Sequence, residues 1–279
     1  MMRSMYAAIS GLKVHQTMLD VTSNDIANVN TLGYKSQRTT FKDSLSQLQR
    51  GASAPNAAQG GSNAIQVGLG VQLGSIDNNM STGALQTTGN PLDVALQSDG
   101  SYFRVANANP AAGAGSITNV QYTRAGNFTR NEAGYLVTQD GQYVVGRTAA
   151  GGGTDTLLQV PTGATNFSIG QDGSVSYDPA GGGARVTAGY LSLATFANDG
   201  GLQRVSSNRW SASSASGTET VGTPGGSFSL VNPGMTEMSN VDLAQEFTNM
   251  ISAQRGFQAN SRVISTADQM LQDLVNLNR

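Results

Sequence analysis

The sequence predicts an α+β protein in which N- and C-terminal amphipathic helices form a coiled-coil layer and the middle forms a β-rich domain. Helix breakers are kept out of both ends: all seven prolines fall between Pro55 and Pro233, and residues 1–30 and 240–279 contain one glycine each. Apolar residues in both ends recur at alternating steps of three and four, which is the pattern of a helix seam. The middle instead alternates apolar and polar residues in short runs separated by turn signals.

The first predicted helix covers residues 1–30 and carries an interrupted apolar stripe. Polar Gln16 and Ser23 stand at two stripe positions. An isolated amphipathic helix gains most of its stability by burying its apolar face, so we expect this one to pack on the C-terminal helix and then on other copies of the chain. An ordinary helical pair closing a single domain is the alternative. The predicted interface residues here are Met5, Ile9, Leu12, Leu19 and Ile26.

The second predicted helix covers residues 240–279, and with residues 1–30 it makes up a terminal helical domain. Ser239 or Asn240 is the expected cap, and Asp242 lies in the first turn, where a negative charge suits the helix dipole. Three stripe positions are polar: Gln254, Ser261 and Asp268. The predicted interface residues here are Leu243, Phe247, Met250, Phe257, Ile264, Leu271 and Val275.

Between the helices we expect a connecting segment at 31–89 and a β-rich outer domain at 90–239. Residues 49–64 and 149–153 are low in complexity and are predicted to be mobile loops. Asp-Gly pairs beginning at 99, 140, 172 and 199 are hairpin-turn signals. The runs with strand-like alternation are Gln66–Ser75, Leu92–Leu96, Phe167–Tyr177 and Tyr190–Phe196.

The composition excludes several classes of site and partner. The 279 residues include no cysteine and one histidine, so disulfides, zinc–thiolate sites and multi-histidine metal sites are excluded. Only 12% of residues are charged and the net charge is −2, which leaves no field to hold nucleic acid. No run of 18 apolar residues exists, so we expect no membrane insertion. We expect no cofactor.

The search for catalytic motifs favours a protein that is not an enzyme. The single histidine, His15, lies off the predicted seam without a supporting acid, so a solvated helix surface is the better interpretation. The glycines at 68, 70 and 74 have the wrong spacing for a dinucleotide loop and suit a strand. A pair of carboxylates meeting in a pocket stays open, because any two of the eighteen acids could approach each other. A secreted enzyme on a β scaffold and a monomeric binding module are therefore the rival classes.

A specific motif spans Ser23 to Lys35, reading SNDIANVNTLGYK. By itself it describes a helix that ends at Asn28–Asn30, with Gly33 as the left-handed residue that turns the chain out. The motif resembles the N-terminal signature of the bacterial flagellar rod and hook proteins. The resemblance continues through 90–105, 122–137 and 237–277. Its signature residues are Asn24, Ala27, Asn28, Gly33, Tyr34 and Lys35.

The resemblance implies a structural subunit that self-assembles into a helical tube outside the cell membrane. Export through the flagellar type III apparatus would need no cleaved signal peptide. Implied partners are further copies, rod proteins, hook-cap proteins and hook–filament junction proteins. The residues of the motifs resemble those of short hook proteins and favour a hook protein, which is a flexible joint that transmits torque. The chain lacks an insertion large enough for the extra outer domain that many hook proteins carry. The longer stretch at 44–65 fits the alternative, a distal rod protein of the basal body.

Overall fold

A computed structural model describes residues 2–55, 60–110, 117–179, 181 and 183–277. The chain is mixed, with a helix at each end and strands between them. It divides into two compact units. The helical unit comprises Met1–Ala27, Gln37–Asp77 and Asp242–Arg279, and the β unit comprises Asn28–Ser36 and Asn78–Val241.

Two helices and two short ribbons build the helical unit. Helix α1 spans Met2–Ala27 and helix α2 spans Leu243–Leu277. One ribbon pairs β1 with β4, and the other pairs β2 with β3 in antiparallel direction. Their strands are β1 (Gln37–Asp43), β2 (Ser46–Arg50), β3 (Ile65–Gly68) and β4 (Val71–Asn78). Neither described helix carries an apolar stretch able to cross a bilayer.

Seventeen strands lie in the β unit as described. The first eight are β5 (Leu85–Thr87), β6 (Val94–Leu96), β7 (Ser101–Asn107), β8 (Thr118–Thr123), β9 (Thr129–Arg130), β10 (Leu136–Val137), β11 (Tyr143–Ala149) and β12 (Gly152–Leu157). The other nine are β13 (Thr165–Ile169), β14 (Ser174–Asp178), β15 (Val186–Leu191), β16 (Leu193–Thr195), β17 (Gln203–Arg204), β18 (Arg209–Ser211), β19 (Thr220–Gly222), β20 (Val231–Pro233) and β21 (Met235–Glu237).

A branched sheet organises these strands in the order β13-β14-β15-β11-β7-β8-β18-β17, with β12, β10–β9 and β16–β19 attached to its long central strands. Two small ribbons, β20–β6 and β21–β5, complete the unit. The inward faces form two apolar clusters. The larger contains Phe103, Phe128 and Leu158, and the smaller centres on Trp210 and Tyr102. These side chains are almost fully buried.

Several turn and strand predictions can be compared with this fold. The Asp-Gly pairs at 140 and 172 close the antiparallel hairpins β10–β11 and β13–β14, as predicted. Those at 99 and 199 turn the chain between strands that do not pair with each other, so the hairpin prediction is wrong there. The run Gln66–Ser75 is two strands, because Gly70 has φ +121° and breaks the ladder.

The predicted loops also have structure where the chain is described. In the predicted loop 49–64, residues 49–50 belong to β2 and a bridge joins Ser53 to Ser62, while residues 56–59 lie outside the described part. In the segment 149–153, Ala149 ends β11 and Gly152 begins β12, so only residues 150 and 151 form a turn and the prediction of a loop is wrong for the rest. The run Tyr190–Phe196 divides at Ser192 into β15 and β16, which pair with different partners.

Candidate functional site

The two helices pack against each other in antiparallel register. A Cβ built on Gly11 would lie 2.6 Å from Asn260 Nδ2, and one on Gly256 would lie 2.5 Å from His15 Nε2. The two helices therefore run in opposite directions. Small residues make this close approach possible. The buried residues of α1 are Ala8, Gly11, Val14, Thr22 and Asp25, and those of α2 are Ala253 and Ala267.

This observed seam is one residue out of phase with the predicted stripes. In α2 it passes through Ala253, Asn260 and Ala267, and the neighbouring polar positions Gln254, Ser261 and Asp268 are exposed. Steps of three and four can alternate in either order, and alanine contributes little to an apolar pattern, so the sequence left the phase ambiguous. The observed seam has polar positions of its own, which are Thr22 and Asp25 in α1 and Asn260 in α2.

The predicted interface residues fall into two groups. Met5, Leu12, Leu19, Ile26, Met250, Phe257, Ile264 and Leu271 are half-buried beside the seam. Ile9, Leu243, Phe247 and Val275 are 38%, 41%, 50% and 68% exposed, respectively. The structure therefore brings the first group to the margin of the α1–α2 contact and leaves the second group in solvent. Contact between copies stays a prediction for both.

The sequence indicated that His15 lies on a solvated helix surface, and the structure contradicts this prediction. Its ring is half-buried, faces Gly256 and meets the edge of Phe41 at 6.1 Å between ring centroids. Its Nδ1 is buried without a hydrogen-bond partner among the described residues. His15 is therefore a packing residue of the helix pair.

Asp242, rather than Ser239 or Asn240, caps α2. Its Oδ1 accepts hydrogen bonds from Ala244 N at 2.9 Å and Gln245 N at 3.3 Å, which satisfies two amides that the first helical turn leaves free. The Asn240 side chain has another task within the β unit. Its Oδ1 accepts from Ser36 N at 2.7 Å, and its Nδ2 donates to Asn79 O at 2.9 Å.

The signature residues after α1 are built into the β unit. Asn24 and Ala27 are exposed on α1, Asn28 is half-buried, and Gly33, Tyr34 and Lys35 are buried. Gly33 has φ +65°, which confirms the predicted left-handed turn. A Cβ there would also lie 2.6 Å from Ala125 N, so the position excludes side chains for two reasons.

Tyr34 and Lys35 are both contacted by the side chain of Arg204. The Arg204 guanidinium lies 4.6 Å above the Tyr34 ring and 5.0 Å above the Trp210 ring, and it donates to Lys35 O at 2.6 Å. The stack joins the signature to the hairpin β17–β18. Nothing in the sequence pairs these segments, since about 170 residues separate Lys35 from Arg204 along the chain.

A buried ion cluster joins three of the motifs that carry the family resemblance. Lys35 Nζ lies 2.5 Å from Glu237 Oε1, and Arg124 Nη1 lies 3.3 Å from Glu237 Oε2, with all three side chains at 0% exposure. Burial lowers the pKa of the Lys35 ammonium, and the Glu237 carboxylate raises it in part. Lys35 was singled out as part of a signature, but Arg124 and Glu237 were not identified as its partners.

The β unit also has an open polar groove of about 270 Å³. It is lined by hydroxyls and amides, with Asp140 and Arg209 as its charged groups. The acids whose pKa is raised by burial, Asp199 and Glu246, do not line it. Among the described residues no three His, Asp or Glu side chains cluster as a metal ion would require. The groove thus lacks the perturbed acids expected of a hydrolytic site.

Three family models match this chain. Residues 5–35 match "Flagella basal body rod protein", residues 95–177 match "Flagellar hook protein FlgE/F/G D1 domain", and residues 232–277 match "Flagellar basal body rod FlgEFG protein C-terminal". The matched segments contain Lys35, Arg124 and Glu237, which meet in the ion cluster.

Curated relatives align over nearly the whole chain. The flagellar basal-body rod protein FlgG of Bacillus subtilis is 48% identical over 100% of both chains. That of Caulobacter vibrioides is 37% identical over 97% of both chains. The flagellar hook protein FlgE of Borreliella burgdorferi is 28% identical over 99% of this chain and 100% of its own. That last alignment has 440 positions, so the hook protein contains long insertions that this chain of 279 residues lacks.

Proposed function

This chain belongs to the flagellar basal-body rod and hook protein family, and on that premise we propose that it is a subunit of the distal rod, the drive shaft of the basal body. The observation that carries the proposal is that the rod relatives align with this chain without long insertions. Two relatives named as rod proteins align with it from end to end, whereas the hook relative aligns only with long insertions. The hook interpretation favoured by the motif wording has less support than its rod alternative.

By resemblance, the length of the segment at 44–65 fits a rod protein. The segment contains β2 and leads into β3, and the strands of this hairpin are exposed along their whole length. Leu48 and Ile65 are 55% and 46% exposed. A two-stranded ribbon is marginal in water by itself and needs a further partner for its apolar face. We propose that a neighbouring copy supplies this partner.

Helix α2 carries two apolar stripes for contacts between copies. Leu243, Phe247 and Ile251 line one flank of its first half. Val263, Met270 and Leu274 line the second half. At about 100° per residue the two stripes are roughly 160° apart around the helix, so they face different neighbours. A contact between unlike surfaces leaves a free copy of each surface at the ends, and such contacts generate open helical polymers.

The magnitudes favour assembly onto an existing end. Burying the remaining half of six such side chains stabilises a contact by roughly 6 kcal/mol. Association costs about 4–15 kcal/mol in lost freedom and ordering, so one stripe pair does not hold a dimer together. A growing end that offers several neighbours at once does. The subunit would thus remain monomeric until it reaches the rod tip.

This proposal also assigns surroundings and partners. The subunit would be exported through the flagellar type III apparatus, and its neighbours would be other copies, other rod proteins and the hook protein. Hook-cap and hook–filament junction proteins, expected under the hook interpretation, would not contact it. Its role would be structural and not catalytic.

Immunogold electron microscopy of purified hook–basal bodies tests the proposal. A peptide tag is inserted after Gly151, in the exposed turn between β11 and β12, where added atoms meet open space. We expect label on the straight shaft within the envelope. Label on the curved segment outside the envelope would instead identify a hook protein. Untagged cells give the background, and antibody binding to the secreted monomer shows that the tag is accessible.

A further inference from the structure

The buried ion cluster includes residues that lie close along the chain to the points where it passes from one unit to the other. The chain passes between the two units four times, after Ala27, Ser36, Asp77 and Val241. Within the β unit, three segments lie next to the last three of these crossings: residues 33–36, 78–83 and 237–241. We call these three the crossing segments, and a load carried along the chain at any of the last three crossings passes through one of them.

Backbone hydrogen bonds tie the crossing segments to each other. Gly33 N donates to Glu237 O at 2.8 Å, and Asn79 N donates to Ser36 O at 2.8 Å. The Asn240 side chain bridges all three, since it accepts from Ser36 N and donates to Asn79 O. Each crossing segment is therefore bound to the other two.

The ion cluster repeats this three-way connection with buried charge. Lys35 Nζ, from the first crossing segment, donates to Ser81 O at 2.7 Å in the second and to Glu237 Oε1 at 2.5 Å in the third. Gly83 N also donates to Glu237 Oε1, at 3.0 Å. Arg124 binds Glu237 Oε2 and donates to Ser98 O at 3.1 Å, which anchors the cluster to the body of the β unit.

Stability alone does not account for ions at this place. Replacing buried ion pairs by apolar residues of similar volume is often neutral or stabilising, because the desolvation of both charges offsets their attraction. Buried ions do hold a fixed geometry, since a displaced partner leaves an uncompensated charge. Three chain segments that must not slide past one another are a place where such a geometry matters.

We propose that Lys35, Glu237 and Arg124 form a joint that holds the crossing segments of the chain in fixed positions under torque. The inference rests on the proposed rod function, because a subunit of a rotating shaft carries torque. Lys35 and Glu237 are positioning residues: they hold the segments in register while torque passes along the chain. Arg124 fixes the joint to the sheet.

The test variant is Lys35→Met, which removes the three-way contact and leaves Glu237 paired with Arg124. Its matched control is Arg104→Met. The Arg104 side chain is also buried, at 4% exposure, and lies 2.8 Å from Asp155 and 3.3 Å from Glu219, but neither of these acids belongs to a crossing segment. Asn240→Asp is the second variant. It is close in shape to the native residue, keeps the acceptor for Ser36 N and loses the donors to the 78–83 segment, so it interrupts the same connection near the surface.

Two readouts separate the joint from simple destabilisation. In the purified monomer we expect the amides of Asn79 and Gly83 to exchange at least ~10-fold faster in Lys35→Met than in Arg104→Met at matched Tm. In cells carrying the tagged chain, we expect label on the shaft as before but a severalfold rise in shed hook–filaments when cells swim in viscous medium. Asn240→Asp should shift both readouts in the same direction and by less.

The outcomes are distinguishable from failure of the rod proposal. Label outside the shaft would contradict the rod assignment, whatever the variants do. Correct label with equal shedding in Lys35→Met, Arg104→Met and the native chain would overturn the joint. If Lys35→Met is not secreted, Asn240→Asp decides: native exchange at Asn79 together with native shedding would overturn the joint as well.

Discussion

The helical unit and the β unit bury their apolar residues to different extents. In the β unit Phe103, Leu158 and Trp210 are at most 1% exposed, and the ion cluster around Glu237 is enclosed as well. In α2 the fully buried residues are two alanines, and Phe247, Ile251 and Leu274 are each 50% exposed. The β unit thus completes its core within one chain, whereas the helical unit leaves large apolar side chains exposed. Under the proposed function, these are the side chains that assembly would bury.

The substitution Phe247→Asp probes this division most strongly. Phe247 is half-exposed in the single chain, so we expect the monomer to change in stability by less than about 0.5 kcal/mol. In the proposed polymer the carboxylate would be buried, which costs at least ~4 kcal/mol per contact, or about 1,000-fold in the critical concentration. Sedimentation of the purified protein, seeded with rod fragments, measures that concentration. Phe247→Leu, which stays apolar, should polymerise normally. Normal polymers from Phe247→Asp would place the interface elsewhere.

The substitution Gly33→Ala tests the tight packing of the β unit. It introduces a left-handed alanine and a Cβ 2.6 Å from Ala125 N. We expect a loss of about 3 kcal/mol, which lowers the Tm by roughly 10 °C. Gly141→Ala is the matched control, since Gly141 has φ +81° but open space around it. Its loss should be about half as large in thermal unfolding. Equal losses would mean that backbone conformation, and not packing, sets the effect.

The substitution Glu246→Gln gives the smallest expected effect and concerns the helix pair. Burial raises the pKa of Glu246, and the Asp25 and Asp242 carboxylates raise it further, while a hydrogen bond from Asn249 lowers it. The folded chain therefore binds more protons than the unfolded chain above pH 4.5, and the native protein loses stability as pH rises through the raised pKa. The neutral glutamine should raise the Tm by a few degrees at about pH 7 and have no effect at about pH 4.

Thermal unfolding from pH 4 to 7 measures this difference between variant and native chain. Glu132→Gln, which removes an exposed carboxylate of the β unit, is the control for the loss of one negative charge outside the helix pair. A Tm difference for Glu246→Gln that is constant across the range would contradict a titrating carboxylate in the helix pair.

Local signals predicted much of the fold. Proline and glycine placement located both helices to within a few residues of their ends. Gly33 was identified as left-handed, and two Asp-Gly pairs close the hairpins expected of them. These features depend on residues close together in the chain, where propensity and turn geometry act directly.

Other predictions failed where a local pattern allowed two answers. The seam phase was missed because Gly11 and Ala253 allow close packing without adding to an apolar stripe. The cap of α2 was placed too early because Ser239, Asn240 and Asp242 are all good capping residues, and only the tertiary hydrogen bonds of Asn240 show that it is used elsewhere. The motif wording favoured the hook, whereas the alignments over whole chains favour the rod.

The sequence by itself therefore determined the division into helical ends and a β-rich middle, the position of the signature turn and the family. The tertiary structure alone decided that Glu237 pairs with Lys35, which is 202 residues away along the chain, and also with Arg124. The physical reason is that helices and turns form from neighbouring residues. A buried charge instead requires a partner that only the folded chain can bring within hydrogen-bond distance, and no spacing in the sequence records which one it will be.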